Sequence, residues 1–256
     1  MDVTTEAAHR FVDVLEAEQA SFAALLGGLR PDQWSLATPA DGWDVMDQVS
    51  HLADTEEVAF DTVRGGTRAL ANEIERHESS GGVIEFGVAR GRGLPGAGEV
   101  LGWWMVAAER NRQGLRSADP ATRVPWGLGM SWRAFVTARL MEHWAHGLDI
   151  RSAVGAGNHD TDRLQPIGWL AYGALPYAFG VAGVKPPSGR SLRVEVTGPS
   201  GDTWSYGPET ATDLVTGPAG IWCRRAVQRI TPDQAGDLTA DGALAEMAIL
   251  HARAFL

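Results

Sequence analysis

The amino-acid sequence predicts a mostly helical α+β protein, with a four-helix bundle in its N-terminal part and a small α/β module in its C-terminal part. Four long segments within the first 154 residues repeat apolar residues at spacings of three and four, the pattern of amphipathic helices. The first segment with the period-two pattern of a strand appears only after residue 190. We therefore expect two domains, a helical bundle over 1–160 and a helix with the small module over 161–256.

The N-terminal helices are predicted from their apolar stripes and their end signals. Phe11, Leu15 and Phe22 belong to the stripe of the first helix, and Ser131 is placed to cap the last one. Long helices joined by loops are typical of an up-and-down bundle. The predicted helices cover 5–29, 44–63, 99–117 and 131–154, with a shorter helix over 70–78.

Two segments between these helices are predicted to be loops. The stretch 81–98 reads GGVIEFGVARGRGLPGAG, which is rich in glycine but lacks the Gly-Lys-Ser/Thr sequence of a phosphate-binding loop. The stretch 119–129 contains two prolines and two glycines.

The C-terminal part mixes helix and strand signals. The strand signal is the alternation LRVEVT from Leu192, and the turn after it predicts a hairpin with 203–206. The remaining segments, 166–182, 212–230 and 243–256, are predicted to be helices.

Composition excludes several classes of protein. No apolar run reaches the roughly 18–20 residues of a membrane span, and the N-terminus lacks the pattern of a secretory signal. The single cysteine, Cys223, excludes an intrachain disulfide and a multi-cysteine zinc site, and its apolar neighbours indicate a buried, inert thiol. We expect a cytoplasmic protein that does not bind membranes.

Charge is distributed unevenly along the chain. Residues 1–61 hold thirteen acids and two arginines, whereas residues 86–139 hold eight arginines and three acids. Nucleic-acid binding is not expected, because the sequence has no dense basic stripe and its N-terminal part is strongly acidic. Arginine forks bind carboxylates, which makes Arg90, Arg92, Arg123 and Arg139 candidates for binding an anionic substrate. The alternative is that these are surface or structural arginines.

The predicted helix over 131–154 carries the groups best suited to chemistry. At about 100° per residue its ionisable side chains share one arc of roughly 120° on a helix that is otherwise apolar. Glu142 and His146 are four residues apart, a spacing at which a carboxylate and an imidazole can bind one metal ion. A buried Glu–His hydrogen bond or a solvated cleft is the alternative. The arc consists of Arg139, Glu142, His143, His146 and Asp149.

A catalytic metal site with three protein ligands needs one more ligand from elsewhere in the chain. His143 lies within the apolar stripe and is interpreted as a core histidine. His51 lies off the apolar stripe of its helix, so periodicity alone leaves it on a flank or an exposed face. The remaining candidates for the third ligand are His9, His77, His159 and His251.

Two sequence motifs resemble a known family. The segment from Gly42 reads GWDVMDQVSHLA, and the segment from Met141 reads MEHWAHGLDI. Together they resemble the DinB-like superfamily, and in particular the mycothiol-dependent maleylpyruvate isomerase family of actinobacteria. The resemblance continues through 124–127, 175–179 and 217–225, whereas the glycine-rich stretch resembles a sister branch of metal-binding proteins.

The resemblance implies a site and a class of reaction. It implies a divalent metal, usually zinc, held by His51, Glu142 and His146, with Asp149 orienting a ligand or the substrate. It also implies a low-molecular-weight thiol such as mycothiol as co-substrate.

A metal-activated thiol adds to an electrophilic, anionic small molecule, as in an isomerase or a thiol transferase. By analogy with relatives, Arg224 and Arg225 are candidates for holding the thiol. Asp149 and Arg139 are the candidate catalytic residues. Two other functions stay open: a metal-dependent hydrolase or lyase that uses metal-bound water, and a non-catalytic metal- or ligand-binding protein.

Overall fold

The structure is a computed structural model that describes residues 3–157 and 159–254. The chain forms two compact units, Met1–Asn158 and His159–Leu256, and each is described by itself. None of the helices in the described ranges is long and apolar enough to cross a membrane.

The first unit is built from helices, and the four long ones match the predicted bundle. Its core is formed by large apolar side chains that include Phe22, Leu52, Trp104 and Ile150. The helices are α1 (Val3–Gly27), α2 (Val45–Arg64), α3 (Leu70–His77), α4 (Ser80–Arg92), α5 (Ala97–Ser117) and α6 (Trp132–Val154).

Local sequence explains where the two central helices begin and end. Helix α6 starts after Ser131, whose hydroxyl oxygen accepts a hydrogen bond from the amide of Ala134 at 3.2 Å, which confirms the predicted cap. Helix α2 starts at a reciprocal pair in which the side chains of Asp44 and Asp47 each accept the other's backbone amide. It ends at Gly65 in the left-handed conformation that glycine adopts without strain.

The prediction that 81–98 is a loop is wrong, because most of it belongs to α4. Two of its glycines face α2 at very short distance. A Cβ atom at Gly91 would lie 1.8 Å from the Ser50 hydroxyl oxygen, and one at Gly87 would lie 2.7 Å from the Asp54 Cβ. The glycines therefore let two helices approach closely, and this tertiary contact outweighs their weak helix propensity.

Ion pairs join α4 to the acidic face of α2. Arg90 contacts Asp54 and lies 2.8 Å from Glu57, measured between NH1 and Oε2. Arg92 lies 2.7 Å from Asp47, measured between NH2 and Oδ2. The acidic start of the sequence and its arginine-rich middle are thus partners within one folded unit.

The segment 119–129, predicted to be a loop, includes part of a short hairpin. Strand β1 (Arg123–Val124) pairs antiparallel with β2 (Met130–Ser131), with Val124 opposite Met130. Between the strands, Trp126 packs on Phe135 at a ring-centroid distance of 5.3 Å.

The second unit combines a four-stranded sheet with helices. The strand order is β4-β3-β5-β6, where β3 and β5 are parallel and the other neighbours are antiparallel. Its elements are α7 (Leu164–Gly173), α8 (Leu175–Ala182), β3 (Leu192–Thr197), β4 (Thr203–Tyr206), β5 (Asp213–Pro218), α9 (Ala219–Ala226), β6 (Thr239–Asp241) and α10 (Ala243–His251).

Two predictions in this unit are wrong, and one strand was missed. The segment 212–230 is not a single helix, because its first part is the central strand β5 and only Ala219–Ala226 is helical. Gly217 has φ 142°, and a Cβ there would lie 2.6 Å from the Asp237 carbonyl oxygen, so this backbone requires glycine. The helix predicted over 166–182 is two helices, and β6 was not predicted. Residues 255 and 256 of the last predicted helix lie outside the described residues.

Substituting Gly91→Ala tests the contact between α2 and α4. We expect the free energy of unfolding to fall by about 1–3 kcal/mol, because the new methyl group overlaps the Ser50 side chain. Urea denaturation measures this change. Gly102→Ala is the matched control, because a Cβ at this exposed helical glycine meets nothing within 4 Å. It should stabilise the protein by about 0.5–1 kcal/mol.

The side chain that the new methyl group would overlap, that of Ser50, can be removed by a second substitution. In a double-mutant cycle, Ser50→Gly should recover part of the stability lost in Gly91→Ala, since the two changes share one contact. Strictly additive effects of the two substitutions would contradict the proposed contact.

Candidate metal centre

Helices α2 and α6 bring together the three residues that the resemblance singled out. The Nε2 atom of His51 lies 3.7 Å from Glu142 Oε2, and the Nε2 atom of His146 lies 3.4 Å from the same oxygen. One ligand atom from each residue lies within 4.8 Å of the others. This is the one such group of histidine and acidic side chains found in 3–157 and 159–254. Both histidines are only 8% exposed.

The ring of His146 is oriented by a residue that sequence reasoning missed. Its Nδ1–H donates to the Oε1 atom of Gln48, which is fully buried on α2. A carbonyl oxygen can only accept a hydrogen bond, so Nδ1 carries a hydrogen. The Nε2 atom is then the one left to hold either a second proton or a metal ion.

Gln48 is itself held in one orientation. Its Nε2 amide group donates to the Thr38 hydroxyl at 2.8 Å and to Asp149 Oδ2 at 3.5 Å. Asp149 therefore lies in the chain of contacts behind His146, and its Oδ2 is 3.9 Å from His146 Nδ1. Its predicted catalytic or orienting role stays a prediction.

The other histidine is held between a threonine and a tryptophan. Thr55 donates its hydroxyl hydrogen to the His51 carbonyl, and its oxygen lies 3.5 Å from His51 Nδ1. The half-buried ring of Trp43 lies 5.2 Å from the ring of His51 and is stacked on His146 at 6.3 Å. Trp43 thus covers both imidazoles from one side.

The electrostatics of the group favour a bound cation. Burial raises the pKa of Glu142, but the adjacent rings of His146 and His51 and the charge of Arg139 outweigh it and hold the pKa well below its usual value. Burial lowers the pKa of His51 and so favours the neutral imidazole. An ionised carboxylate and neutral imidazoles are the forms that bind metal ions.

The donor set fits a divalent metal. Two imidazole nitrogens and one carboxylate oxygen form the His₂Glu set typical of catalytic zinc sites, in which a fourth position stays open for a ligand. The hydrogen bond from His146 to Gln48 is the outer contact that metal-bound histidines commonly have. The residues present therefore suit a divalent metal in number and type.

His143 is a satisfied core histidine, which confirms its interpretation from the sequence. It is fully buried, its Nδ1 donates to the Arg139 carbonyl at 2.8 Å, and its Nε2 accepts from Trp104 at 3.1 Å. The side-chain amide of Gln19 lies 3.3 Å from the same Nε2. Burial lowers the pKa of His143 to about 3.

Arg139, predicted as a catalytic residue, is 2% exposed and lies on α6 three residues before Glu142. Its NH1 atom is 3.8 Å from the Oε1 atom of Glu56. Glu56 is completely buried on α2 and was not singled out from the sequence. One signal could have found it, namely an acidic residue inside the apolar pattern of a helix that already carries a candidate ligand.

Three predicted substrate-binding arginines of the first unit have protein partners in the structure. Arg90 and Arg92 pair with aspartates of α2, as described above. Arg123 is exposed and donates to the Gly129 carbonyl at 2.6 Å. In the part of the chain that the structure describes, none of these three side chains forms a hydrogen bond or ion pair with His51 or His146, and their role in substrate binding stays a prediction.

The two arginines predicted to hold a thiol lie in the second unit. Arg224 forms a two-pronged ion pair with Asp160, at 2.7 and 2.8 Å. Arg225 is buried and donates to the carbonyls of Ile249 and Leu250. Their ligand-binding role is likewise untested. The neighbouring Cys223 is fully buried as expected, and burial raises the pKa of its thiol.

A cleft of about 460 Å³ lies next to Trp43, and none of the three candidate ligands is among its lining residues. Trp43 and Thr38 line it, and both also contact the residues of the centre. Asp47 and Arg92 form part of its polar wall.

The comparison with protein families now identifies the chain. Residues 15–151 match the family model described as the mycothiol maleylpyruvate isomerase N-terminal domain. The chain belongs to this family. The match confirms the resemblance drawn from the two sequence motifs, and it fits the DinB-like superfamily.

Relatives of the chain are found among both sequences and structures. Two uncharacterised proteins of Mycobacterium tuberculosis, from strains CDC 1551 and H37Rv, are each 36% identical over 220 residues, covering 86% of this chain and 85% of theirs. Crystal structures of mycothiol-dependent maleylpyruvate isomerase and of a point mutant superpose with a TM-score of 0.60 at 14% identity, covering 91% of this chain and 92% of theirs. This likeness confirms the predicted mostly helical α+β fold.

The low pKa of His143 predicts a specific pH dependence of stability. Its ordinary value of 6.5 falls to about 3 in the folded protein, so between these values the unfolded chain binds more protons. Stability should therefore fall as the pH drops below 6.5. His143→Gln should reduce this slope by at most about 1.4 kcal/mol per pH unit.

Urea denaturation between pH 4.5 and 7.5 measures the slope. His159→Gln, at an exposed histidine, is the control and should keep the slope of the unsubstituted protein. If the free energy of unfolding of His143→Gln changed with pH as steeply as that of the unsubstituted protein, His143 would be protonated in the folded state over this pH range.

Proposed function

We propose that the protein is a metal-dependent enzyme that activates a low-molecular-weight thiol, mycothiol or a similar one, for addition to an electrophilic small molecule. The observation that carries this proposal is the group His51, Glu142 and His146, whose ligand atoms lie within 4.8 Å of one another. Membership of the mycothiol maleylpyruvate isomerase N-terminal domain family supports it.

In this proposal His51, Glu142 and His146 hold a divalent metal, and zinc suits their donor set best. The bound ion supplies a Lewis acid at which a thiol loses its proton at neutral pH. Gln48 keeps the His146 ring in the orientation that presents Nε2. The ring of Trp43 lies next to both imidazole rings and shields one side of them from water.

The sulfur nucleophile has to come from a co-substrate. The chain has one cysteine, Cys223, whose side chain is fully buried. The solved relatives are described as mycothiol-dependent, and we extend that co-substrate to this chain as part of the proposal. The cleft beside Trp43 offers space for the larger part of such a thiol.

The reaction class follows from the chemistry of a thiol and an activated double bond. Addition forms a carbon–sulfur bond, and the proton lost from sulfur ends on the neighbouring carbon. Retention of the adduct gives a transferase. For an isomerase, the adduct rotates about the former double bond and then eliminates the thiol, which is regenerated. We propose an anionic electrophile as the substrate of either reaction.

Metal content tests the proposed ligands. We expect about one zinc ion per chain in the purified, zinc-reconstituted protein, and loss of most of it in alanine variants of His51, Glu142 or His146, because each removes one of three ligands. Gln48→Leu should keep the ligands but weaken zinc binding about 10–100-fold, because the His146 ring loses its partner. Elemental analysis and chelator competition measure both effects.

His143→Gln is the control on the same helix and should retain the metal, because its ring nitrogens are occupied within the core. Equal metal loss in this variant would place the site on another face of α6. Absence of metal from the unsubstituted protein after reconstitution with zinc would overturn the proposal.

Thiol dependence tests the reaction class. With 1-chloro-2,4-dinitrobenzene as a general electrophile, the zinc-loaded protein should accelerate conjugation of mycothiol, because it raises the fraction of ionised thiol. His146→Ala should lose this acceleration. Absorbance of the thioether product measures the rate.

The same assay separates the proposed function from hydrolysis. Turnover of a nitrophenyl ester without added thiol, and its inhibition by mycothiol, would indicate the use of metal-bound water instead. A metal-loaded protein that catalyses neither reaction would indicate a binding protein.

A further inference from the structure

A threonine one turn further along α2 contacts the ring of the candidate ligand His51. Thr55 follows His51 by four residues, a spacing that places both side chains on the same face of the helix. Its hydroxyl group donates a hydrogen bond to the His51 backbone carbonyl, and its oxygen lies 3.5 Å from Nδ1 of the same residue. One hydroxyl group therefore contacts both the backbone and the ring of His51.

The bond to the backbone determines how this hydroxyl group can interact with the ring. A hydroxyl group has one hydrogen to donate and two lone pairs that accept. Threonine in a helix commonly donates its hydrogen to the carbonyl four residues earlier, and Thr62 on the same helix does so to Val58 at 2.7 Å. Because the hydrogen of Thr55 is used in this way, its oxygen can only accept from the His51 ring. Nδ1 must then carry the hydrogen.

A hydrogen on Nδ1 leaves Nε2 of His51 free to bind a metal ion. The neutral imidazole, which is the form that binds metals, has one N–H group, either at Nδ1 or at Nε2. Nε2 is the atom that faces Glu142, at 3.7 Å from Oε2. A hydrogen on Nε2 would point to this carboxylate and occupy the lone pair that a metal ion needs. Thr55 thus opposes a hydrogen bond that Glu142 favours.

Ring packing around His51 does not select between these two forms. The ring of Trp43 lies 5.2 Å from the ring of His51, and the ring of His146 lies 4.9 Å from it. These contacts limit the tilt of the ring. They tolerate a half-turn that exchanges ring nitrogens with ring carbons, because these atoms are nearly equal in size. A hydrogen bond to Nδ1 distinguishes the two orientations, and Thr55 provides the acceptor for it.

The other candidate ligand histidine is held in the same way from the same helix. Gln48 accepts a hydrogen bond from Nδ1 of His146. The residues Gln48, His51 and Thr55 follow one another at spacings of three and four, so α2 presents them on one face. Helix α2 therefore supplies one candidate ligand and an acceptor for Nδ1 of each histidine.

We infer that Thr55 is the positioning residue of His51, because it accepts the hydrogen of Nδ1 and keeps the lone pair of Nε2 free for a metal ion. The inference rests on the proposed function, in which His51 is a metal ligand. It implies that the ring of His51 already has the orientation and the form that bind metal before an ion is present.

Nitrogen-15 NMR of the metal-free protein with labelled histidines tests where the hydrogen lies. Ring nitrogens with and without hydrogen give well-separated signals, and those of His51 are assigned by their loss in His51→Gln. At about pH 8, where histidines are neutral, the unsubstituted protein should hold the hydrogen mainly on Nδ1 of His51. Thr55→Val should move it to Nε2, because valine keeps the shape of threonine but cannot accept. Thr55→Ser should restore the hydrogen on Nδ1, since it keeps the hydroxyl group.

Zinc affinity provides a second readout of the same contact. Thr55→Val should weaken zinc binding about 10-fold in chelator competition. This is the low end of the range for the outer partner of a metal-bound histidine, because the contact is long at 3.5 Å. Thr55→Ser should bind zinc like the unsubstituted protein. Gln48→Leu should leave the His51 signals unchanged, because Gln48 contacts the other histidine.

Thr62→Val is the matched control on the same helix. Thr62 makes the same bond to the carbonyl four residues earlier, but its oxygen accepts from the amide of Leu70 at 2.9 Å. The substitution should lower the free energy of unfolding and leave the His51 signals and the zinc affinity unchanged. Unchanged His51 signals or unchanged zinc affinity in Thr55→Val, or an equal loss of zinc affinity in Thr62→Val, would overturn the inference.

Failure of this inference can be distinguished from failure of the proposed function. The position of the hydrogen is measured without metal, so it can be tested even if the protein binds no zinc. A protein whose His51 signals respond to Thr55→Val as expected but which holds no zinc contradicts only the proposed function. A zinc-loaded, thiol-dependent enzyme in which Thr55→Val changes neither the His51 signals nor the zinc affinity contradicts only the assignment of Thr55.

Discussion

The charge of Glu142 is the constraint on which the candidate site depends. An ionised carboxylate within a helix bundle is stable only where cations or hydrogen bonds compensate for its lost hydration. Here His51 approaches from α2, His146 from the next turn of α6, and Arg139 from the preceding turn. A change in the crossing of α2 and α6 would remove the contact of His51 with Glu142 together with the hydrogen bond from His146 to Gln48.

Helix α2 serves the site in more than one way. It provides His51 as a candidate ligand, and three residues earlier it provides Gln48, which orients His146 on the other helix. A different face of α2 carries Asp47, Ser50 and Asp54, which α4 covers through its glycines and arginines. The ion pairs of Arg90 and Arg92 with these aspartates therefore help to hold α2, the helix that carries His51, in place.

Much of the bundle could be predicted from the sequence, because its helices carry regular apolar stripes and local end signals such as Ser131 and Gly65. The pair Glu142 and His146 could be predicted from spacing on one helix. The place of His51 came from the resemblance to a family, since periodicity left it on a flank. Helix α4 and strand β5 were missed, because Gly91 and Gly217 are selected by contacts with residues distant in the chain.

The sequence by itself determined the helical bundle, the spacing of the candidate ligands Glu142 and His146 on α6 and the presence of a single cysteine, because these depend on composition and on spacings within single elements. Only the tertiary structure decided that Gln48 orients His146, that three of the candidate arginines pair within the first unit, and that Glu56 and Asn111 lie beside Arg139. Such contacts join side chains from different helices, and their distances depend on how those helices pack, which no local pattern in the sequence specifies.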